Sequence, residues 1–277
     1  MFIKISKILL KHIGIEISRN YDPKSEFKKL QYIFLPTLQS HPKTFEKYRG
    51  IHRGKNIVIV GSGPTMEHYI PKHSTPPHRD IHIGVNHTFL KHISLDYLFV
   101  QDYLGDEIMP LANKYRGSEC KKFYGTHYLV RGISVSDFDE ANAERYYFID
   151  NNDMENYKYN IALADITLRP LNTWASVVFC ALEFALWTCP QKIYLVGCDC
   201  APTGHIFHSD KNVFCPSDDI QFYGWKVFKE FRDNLYPNIE IVSINPVRLK
   251  GLFKDIYTQS YINANPALSK ENMEIFG

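Results

Sequence analysis

Asn56-Ile-Val-Ile-Val-Gly-Ser-Gly-Pro-Thr65 is the stretch that decides the fold of this chain. Its β-branched run, residues 57–60, stops at a glycine and predicts a buried strand, and the residues from Gly61 onward predict a tight turn that opens a helix. Pro64 suits the first helical turn, and bare N–H groups at a helix start favour a phosphate. The turn lacks the third glycine of the dinucleotide fingerprint and the Lys-Ser/Thr of a P-loop. It therefore predicts a nucleotide-binding loop of neither type, with an ordinary strand-to-helix turn as the alternative.

Composition limits the classes of protein to consider. The chain has 277 residues, 44% of them hydrophobic, which is enough for one large domain with appendages. A formal net charge of +2 gives no global field for recruiting nucleic acid. The six cysteines lack CxxC spacing, which favours a reducing, cytoplasmic setting. Cys198, Cys200, His205 and His208 lie closer together than the ligands of most zinc sites, so we expect no metal and no cofactor beyond the donor substrate.

The first 50 residues form a basic extension. No apolar run reaches the roughly eighteen residues that span a bilayer. Residues 1–17 nevertheless place apolar side chains at helical intervals between lysines. Two interpretations stay open: a helix lying on the anionic inner face of the cytoplasmic membrane, or a helix packed on the main domain.

Polar residues follow the next two strands that the sequence predicts. The strand Ile81–Val85 ends at Asn86, and the strand Tyr97–Val100 ends at Gln101 and Asp102. In an open α/β sheet, ligands bind beyond the carboxyl ends of the strands. These three side chains therefore join the glycine turn as candidate contacts, although each could instead cap a following helix.

A helix and a strand then form a second firm unit. Thr173 is placed to cap a helix with the body Ala175–Trp187, and a buried strand, Lys192–Val196, ends in Gly197-Cys198-Asp199. Such a helix–strand pair is typical of a parallel crossover.

The remaining pattern completes the expected organisation. We expect strands at 123–130 and 145–149, an amphipathic helix at 219–235 and a final strand at 239–244. The expected units are a basic helical extension (1–50), a nucleotide-sugar-binding catalytic domain (51–246) with an irregular lid or insertion (111–160), and a tail packed on that domain (247–277).

Four motifs of this chain, taken in order, resemble a set of motifs known from a protein family. They are the glycine turn, the strand ending in Asn86, the segment Ala-Ser-Val-Val-Phe-Cys-Ala-Leu-Glu-Phe-Ala-Leu and the segment Lys-Ile-Tyr-Leu-Val-Gly-Cys-Asp. The set resembles that of the bacterial lipooligosaccharide sialyltransferases and the related motility-associated glycosyltransferases and 6-hydroxymethylpterin diphosphokinase-like proteins. It covers roughly residues 55–245. The resemblance implies one Rossmann-like α/β domain with a mostly parallel sheet, a GT-A-like variant.

The resemblance also implies a chemistry. A CMP-activated sugar would lie across the strand ends, with Ser62 and Gly63 on the nucleotide, Asn86 on its phosphate or sugar, and Ser176 nearby. A histidine in the loop after the Gly-x-Asp strand would be the base, without a metal, and here that loop holds His205 and His208. The candidate donor-nucleotide residues are Gly61, Ser62, Gly63, Pro64, Thr65, Asn86, Gln101, Asp102, Thr173, Ser176, Gly197 and Asp199.

Several points stay open at this stage. The sialyltransferases place two tyrosines after the Gly-x-Asp strand, where this chain has Ala201 and Ile206-Phe207, so another donor nucleotide is an alternative. Leaving-group charge would fall to backbone N–H groups, hydroxyls, Arg248 or Lys250. The expected acceptor is a cell-surface glycan or glycolipid, such as lipooligosaccharide or capsule, and a homo-oligomer is compatible with the sequence. The alternatives are a pterin diphosphokinase that uses ATP and Mg²⁺ held by Asp102 and Asp199, and a non-catalytic nucleotide-sugar-binding partner.

Overall fold

The computed structural model describes residues 41–71, 79–91, 93–101, 120–127, 143–150, 165–167, 169–200, 217–270 and 273–276. These residues form a nine-stranded sheet in which every pairing is parallel. The strands are β1 (Asn56–Val60), β2 (Ile81–Val85), β3 (Tyr97–Val100), β4 (Lys121–His127), β5 (Ala143–Asp150), β6 (Leu171–Thr173), β7 (Lys192–Val196), β8 (Glu240–Ile244) and β9 (Lys254–Ile256). The α-helices are α1 (His41–Glu46), α2 (Val178–Trp187), α3 (Ser217–Leu235) and α4 (Gln259–Ala264), and 3₁₀ helices cover Pro64–His68, Asn86–Leu90 and Pro266–Lys270.

The order of the strands reverses once. Across the sheet the order is β6-β5-β4-β3-β2-β1-β7-β8-β9. Strands β1 to β6 therefore follow one another in one direction across the sheet. The chain then returns, and β7 pairs with the other side of β1. Val60 pairs with Val196, so β1 and β7 end level with each other. Ligands of open α/β sheets bind at such a reversal, beyond the carboxyl ends of the strands.

Helix α2 lies in the larger core and positions the return to β7. All ten of its residues are buried. The ring of Phe184 lies 5.4 Å from that of Phe99 on the sheet side, and Phe179 lies 5.0 Å from Trp225 of α3. The indole N–H of Trp187 donates to the carbonyl of Phe45 at 2.8 Å. A helix covered on all sides is expected to be apolar all round, and this sequence is apolar except at Glu183, which pairs with Arg169.

Within the described part of the chain, no long helix contributes to the core on the other face of the sheet. Met66 and Tyr69 pack on it from the connection between β1 and β2. Near the end of the chain, the ring of Phe276 lies 5.9 Å from Tyr69 and 5.7 Å from Tyr194. The residues after β8 thus contribute to the core of this face.

The expected fold class is confirmed: the molecule is an α/β protein with a Rossmann-like parallel sheet. The predicted bounds of β2, β3 and β7 match those observed. The predicted strands at 123–130 and 145–149 correspond to β4 and β5, and the helix predicted at 219–235 is α3.

Four sequence-based expectations need correction. The strand at 239–244 is not the last, because β9 pairs with it along the edge. The range 111–160, which we expected to be an irregular lid or insertion with two strands in it, contributes those strands to the interior of the sheet as β4 and β5. The boundary at residue 50 does not separate an extension from the domain, since Phe45 and Tyr48 are in the core. The helix expected to begin at Ala175 begins at Val178, because a turn precedes it.

Some findings concern the described residues alone. None of their helices is long and apolar enough to cross a membrane. No three of their His, Cys, Asp or Glu side chains meet to form a metal site. The described cysteines are free thiols. The amino-terminal helix proposed at 1–17 lies outside these residues.

Candidate functional site

The turn after β1 is fastened to the turn after β7. The N–H of Gly61 donates to the carbonyl of Val196 at 2.8 Å, and the N–H of Gly63 donates to the carbonyl of Gly197 at 2.8 Å. These bonds continue the pairing of β1 with β7 beyond the ends of both strands. The reversal of the strand order is therefore closed by backbone contact.

Glycine is required here by close approach of the two turns. A Cβ at Gly63 would lie 2.6 Å from the carboxylate of Asp199 and 2.7 Å from the carbonyl oxygen of Gly197. A Cβ at Gly197 would lie 2.6 Å from the carbonyl oxygen of Gly61, and Gly197 has φ +60°. Since a backbone oxygen cannot swing aside as a flexible side chain can, a larger residue would separate the turns.

Asp199 completes the contact between the turns. Its carboxylate accepts the backbone N–H of Thr65 at 2.9 Å, and its other oxygen accepts the Thr65 hydroxyl. The Asp199 side chain is 5% exposed. Burial raises its pKa above the ordinary value of 3.8, and the two bonds from Thr65 oppose that rise. In this arrangement the carboxylate is a structural acceptor.

The glycine turn differs from the anion cradle expected from the sequence. The N–H groups of Gly61, Gly63 and Thr65 all donate to protein acceptors. Pro64 begins a 3₁₀ helix of five residues, so this turn does not open a long helix whose dipole would favour an anion. The sequence could not reveal this, because it does not show that the β7 turn would use these donors. The turn instead packs closely against the β7 turn, and Ser62 within it is partly exposed.

Asn86 and Gln101 connect the ends of β2 and β3. The side-chain oxygen of Asn86 accepts the backbone N–H of Gln101 at 3.0 Å, so Asn86 caps the neighbouring strand. The side-chain amide of Gln101 donates to the hydroxyl of Tyr146 at 3.0 Å and contacts the Cys180 sulfur at 3.1 Å. Gln101 thus ties β3 to β5 and to the first turn of α2. Both residues lie at the edge where the sequence predicted them.

Thr173 and Ser176 shape the turn that leads into α2. Thr173 ends β6, and its hydroxyl donates to the carbonyl of Ser176 at 2.8 Å while accepting the Ser176 N–H at 3.0 Å. Thr173 therefore organises a turn and does not cap the helix as expected. The Ser176 hydroxyl lies 3.4 Å from the N–H of Val178, where it accepts a weak bond from the first residue of α2. The hydroxyl that precedes α2 is thus at the carboxyl edge of the sheet.

Backbone conformation marks the same edge, a feature that no sequence pattern predicted. Non-glycine residues with positive φ follow directly or closely on four strands. Such conformations are uncommon and cluster at functional sites, where surrounding contacts hold them. The residues are Asn86 (φ 44°), Ala175 (φ 54°), Cys200 (φ 49°) and Asn245 (φ 53°).

Residues late in the chain, which were not candidates from the sequence, also make contacts at this edge of the sheet. The side chain of Asn245, after β8, accepts the N–H of Thr258 at 2.8 Å. The ring nitrogen Nδ1 of His68 lies 3.0 Å from the hydroxyl of Ser260, next to Tyr261. No spacing in the sequence pairs residues so far apart, although asparagine directly after a strand is a recognisable signal.

Three candidates lie outside the described residues: Asp102, His205 and His208. The segment that carries the two histidines follows Cys200 and precedes Ser217, and both of these residues belong to the described chain. The structure therefore brings together the glycine turn, Asn86, Gln101, Thr173, Ser176 and Asp199 at one edge, and the assignment of a base stays a prediction.

Comparisons with known proteins complete the description of the site. No family model matches the chain, and no curated protein matches it. Among solved structures, the chain is similar to the sialyltransferase CstII from Campylobacter jejuni in complex with the substrate analogue CMP-3FNeuAc, with 13% identity over 68% of this chain and 80% of that one and a TM-score of 0.40. It is also similar to a mutant of the α-2,3/8-sialyltransferase CstII, with 15% identity over 68% and 81% of the two chains and a TM-score of 0.37.

Proposed function

We propose that this protein is a glycosyltransferase that moves a sugar from a nucleotide-activated donor to a cell-surface glycan or glycolipid. The donor proposed is a CMP-linked sialic acid or related nonulosonic acid. One observation carries the proposal: the motifs that resemble the glycosyltransferase set all lie at the carboxyl edge of the sheet, where the strand order reverses between β1 and β7. The glycine turn, Asn86, the Ser176 turn and Asp199 are far apart in sequence but share this edge. A nucleotide-sugar is the ligand class that both the motifs and the position favour.

The proposed reaction is a displacement at the anomeric carbon. The hydroxyl oxygen of the acceptor forms the new C–O bond, and its proton passes to a histidine base, His205 or His208. The bond from the anomeric carbon to the phosphate oxygen breaks, and its electron pair stays on the nucleotide. Hydroxyls and cations at the edge, including Ser176, would bind the phosphate as it gains charge.

The bonding of Asp199 bears on the competing kinase proposal. A pterin diphosphokinase would need Asp102 and Asp199 to hold Mg²⁺. Both oxygens of the Asp199 carboxylate already accept bonds from Thr65, and the side chain is buried. This observation favours glycosyl transfer over Mg²⁺-dependent diphosphate transfer.

A donor screen tests the proposal. The full chain would be incubated with CMP-, UDP-, GDP- and dTDP-linked sugars, with and without EDTA, and thermal stability and release of nucleotide would be followed. We expect CMP-sialic acid to raise the melting temperature and to be turned over in EDTA. His205→Ala or His208→Ala should abolish turnover while nucleotide binding persists, and exposed Arg53→Gln serves as the control.

Two outcomes contradict the proposal. Mg²⁺-dependent release of AMP from ATP with a pterin would assign the chain to the kinase class. Binding of a nucleotide-sugar with no turnover for any acceptor would assign it to the non-catalytic binding partners. Near-wild-type rates in both histidine variants would reject only the choice of base.

We also propose that the protein works at the inner face of the cytoplasmic membrane, through the basic segment 1–17. Co-sedimentation with anionic vesicles should fall when these residues are deleted. Equal co-sedimentation of the full and shortened chains would remove this part of the proposal.

A further inference from the structure

Two positive side chains converge on one aromatic ring beside the β7 turn. The guanidinium of Arg248 lies 4.5 Å from the ring centroid of Phe222, and the ammonium of Lys226 lies 4.7 Å from the same centroid. The two charges therefore sit within about 10 Å, the Debye length at 0.1 M salt, and repel each other. We call Arg248 and Lys226 the cation pair.

The cation pair adjoins the proposed donor site. The backbone N–H of Arg248 donates to the carbonyl of Asp199 at 3.2 Å, and Asp199 is the residue whose carboxylate accepts from Thr65. The side-chain amide of Gln221, the neighbour of Phe222, donates to the carbonyl of Ala175 at 3.1 Å. Arg248, from the segment after β8, thus contacts the β7 turn, and α3, which carries Phe222 and Lys226, contacts the turn that precedes α2.

Among the described residues, the one ion pair that the cation pair makes is exposed and easily displaced. Arg248 is paired with Asp219, whose side chain is 73% exposed. Lys226 makes no ion pair within the described part of the chain. Exposed ion pairs contribute little to stability, so a phosphate can replace Asp219 as the partner of Arg248 at small cost. This arrangement is typical of an anion-binding site: the Arg248 guanidinium is held in place by the exposed carboxylate of Asp219, which an anion can replace.

We propose that the cation pair binds the phosphate of the nucleotide donor, with Arg248 as the main contact and Lys226 in support. This inference rests on the proposed function, which names the donor class, and it chooses Arg248 over Lys250 as the group that meets the leaving phosphate. When the bond from the anomeric carbon to the phosphate oxygen breaks, the electron pair remains on that oxygen. Arg248 keeps its proton and donates N–H bonds to the phosphate, and the proton of the acceptor goes to the base.

The test compares a nucleotide with its nucleoside. Calorimetric titration of CMP and of cytidine separates contacts to phosphate from contacts to the base and ribose. For Arg248→Gln we expect CMP to bind about 10- to 100-fold more weakly, while cytidine binds within about twofold of wild type. Lys226→Gln should weaken CMP about threefold to tenfold, Arg248→Lys should restore part of the loss, and Asp219→Asn should tighten CMP binding. The value of kcat for donor turnover should fall in Arg248→Gln as well.

Matched controls lie elsewhere on the molecule. Lys229→Gln removes a lysine from the same helix, where it pairs with Asp233, and Arg53→Gln removes an exposed arginine before β1. Neither should change the CMP affinity. If Arg248→Gln retains wild-type affinity for CMP and wild-type kcat, the inference is overturned and the proposed function stands. If wild type binds no nucleotide or nucleotide-sugar at all, the proposed function itself fails.

Discussion

The carboxylate of Asp199 accepts both donors of Thr65, the backbone N–H at 2.9 Å and the hydroxyl, although 134 positions separate the two residues in the chain. This contact joins the turns after β1 and β7 at the reversal of the strand order. It gives the glycine turn a role that differs from a bare phosphate cradle, because the turn donates its N–H groups to the protein. The candidate site is accordingly built on two turns that are held together by this contact.

Replacing Asp199 distinguishes a structural acceptor from a metal ligand. In Asp199→Asn the amide oxygen can accept the Thr65 N–H while its NH₂ donates to the hydroxyl, so we expect a loss below about 1 kcal/mol. Asp199→Ala leaves both buried donors without a partner and should cost about 2 to 4 kcal/mol. Urea denaturation measures both. An Asp199→Asn variant as unstable as Asp199→Ala would contradict this assignment.

Close packing of the glycine turns predicts a contrast between two alanine variants. Gly197→Ala combines positive φ with a Cβ 2.6 Å from the Gly61 oxygen, whereas Gly251→Ala has φ +77° and no atom within 4 Å of its Cβ. We expect Gly251→Ala to cost about 1 to 2 kcal/mol from backbone strain alone. Gly197→Ala should cost about 1 to 3 kcal/mol more. Equal losses in thermal or urea unfolding would show that the turns are not held in contact.

The buried ion pair between Arg169 and Glu183 of α2 predicts a large effect on stability. Arg169 bonds to Glu183 at 2.6 Å, with side chains 3% and 2% exposed, and Asn172 donates to the other carboxylate oxygen at 2.7 Å. Glu183→Ala leaves a buried guanidinium without its partner and should cost about 3 to 5 kcal/mol.

An exposed ion pair is the control for Glu183→Ala. Lys192 and Glu240 form such a pair, in which the Glu240 side chain is 44% exposed. Glu240→Ala should cost less than about 1 kcal/mol. Similar losses in Glu183→Ala and Glu240→Ala would contradict the burial of the Arg169 pair.

Stability should depend on pH through His82. Its Nδ1 faces the carbonyl of Asp80 and must carry the proton, so its Nε2 accepts from the hydroxyl of Tyr69. Burial lowers the pKa of His82 below the ordinary value of 6.5, although Asp96 opposes the shift. Below pH 6.5 the unfolded chain therefore binds more protons than the folded one. The contribution of His82 to the free energy of unfolding is fully present above pH 6.5 and is lost as the pH drops toward the lowered pKa.

Denaturation at pH 7.5 and pH 5.5 checks the contribution of His82. His82→Asn keeps a donor toward Asp80 but cannot titrate in this range, so its stability should change less between the two pH values. The buried His52, whose pKa is also lowered by burial, leaves part of the dependence in place. An unaltered dependence in His82→Asn would show that His82 does not contribute.

The central strands of the sheet were predictable because they are short and mostly apolar. β1, β2, β3 and β7 are each followed by glycine or a polar residue, which is a local signal. β6 and β9 have three residues each and exist through pairing with β5 and β8 at the sheet edges. Three residues carry no periodicity, so sequence patterns could not find these strands.

The edge that holds the candidate site was predictable, but its bonding was not. Residues after parallel strands must share an edge, which placed Asn86, Gln101 and Asp199 together. That Asp199 would bind Thr65, and that Asn86 would cap β3, depends on the strand order, which local patterns do not define. The positive φ of Ala175 and Cys200 has no signal in residue type, whereas that of Asn86 follows a known preference of asparagine.

The most direct measurement is calorimetric titration of the full chain with CMP-sialic acid, in wild type and in Asn86→Gly. Glycine accepts the positive φ of Asn86, but removing the side chain also takes away the acceptor of the Gln101 N–H, so the melting temperature of the variant without donor is measured as the check on its fold. The account predicts that wild type binds the donor and that Asn86→Gly binds it at least about tenfold more weakly, the loss of one charged or polar contact. Absence of binding in wild type to every CMP-, UDP-, GDP- and dTDP-linked sugar, or wild-type affinity in Asn86→Gly, would contradict a donor site at the reversal of the strand order.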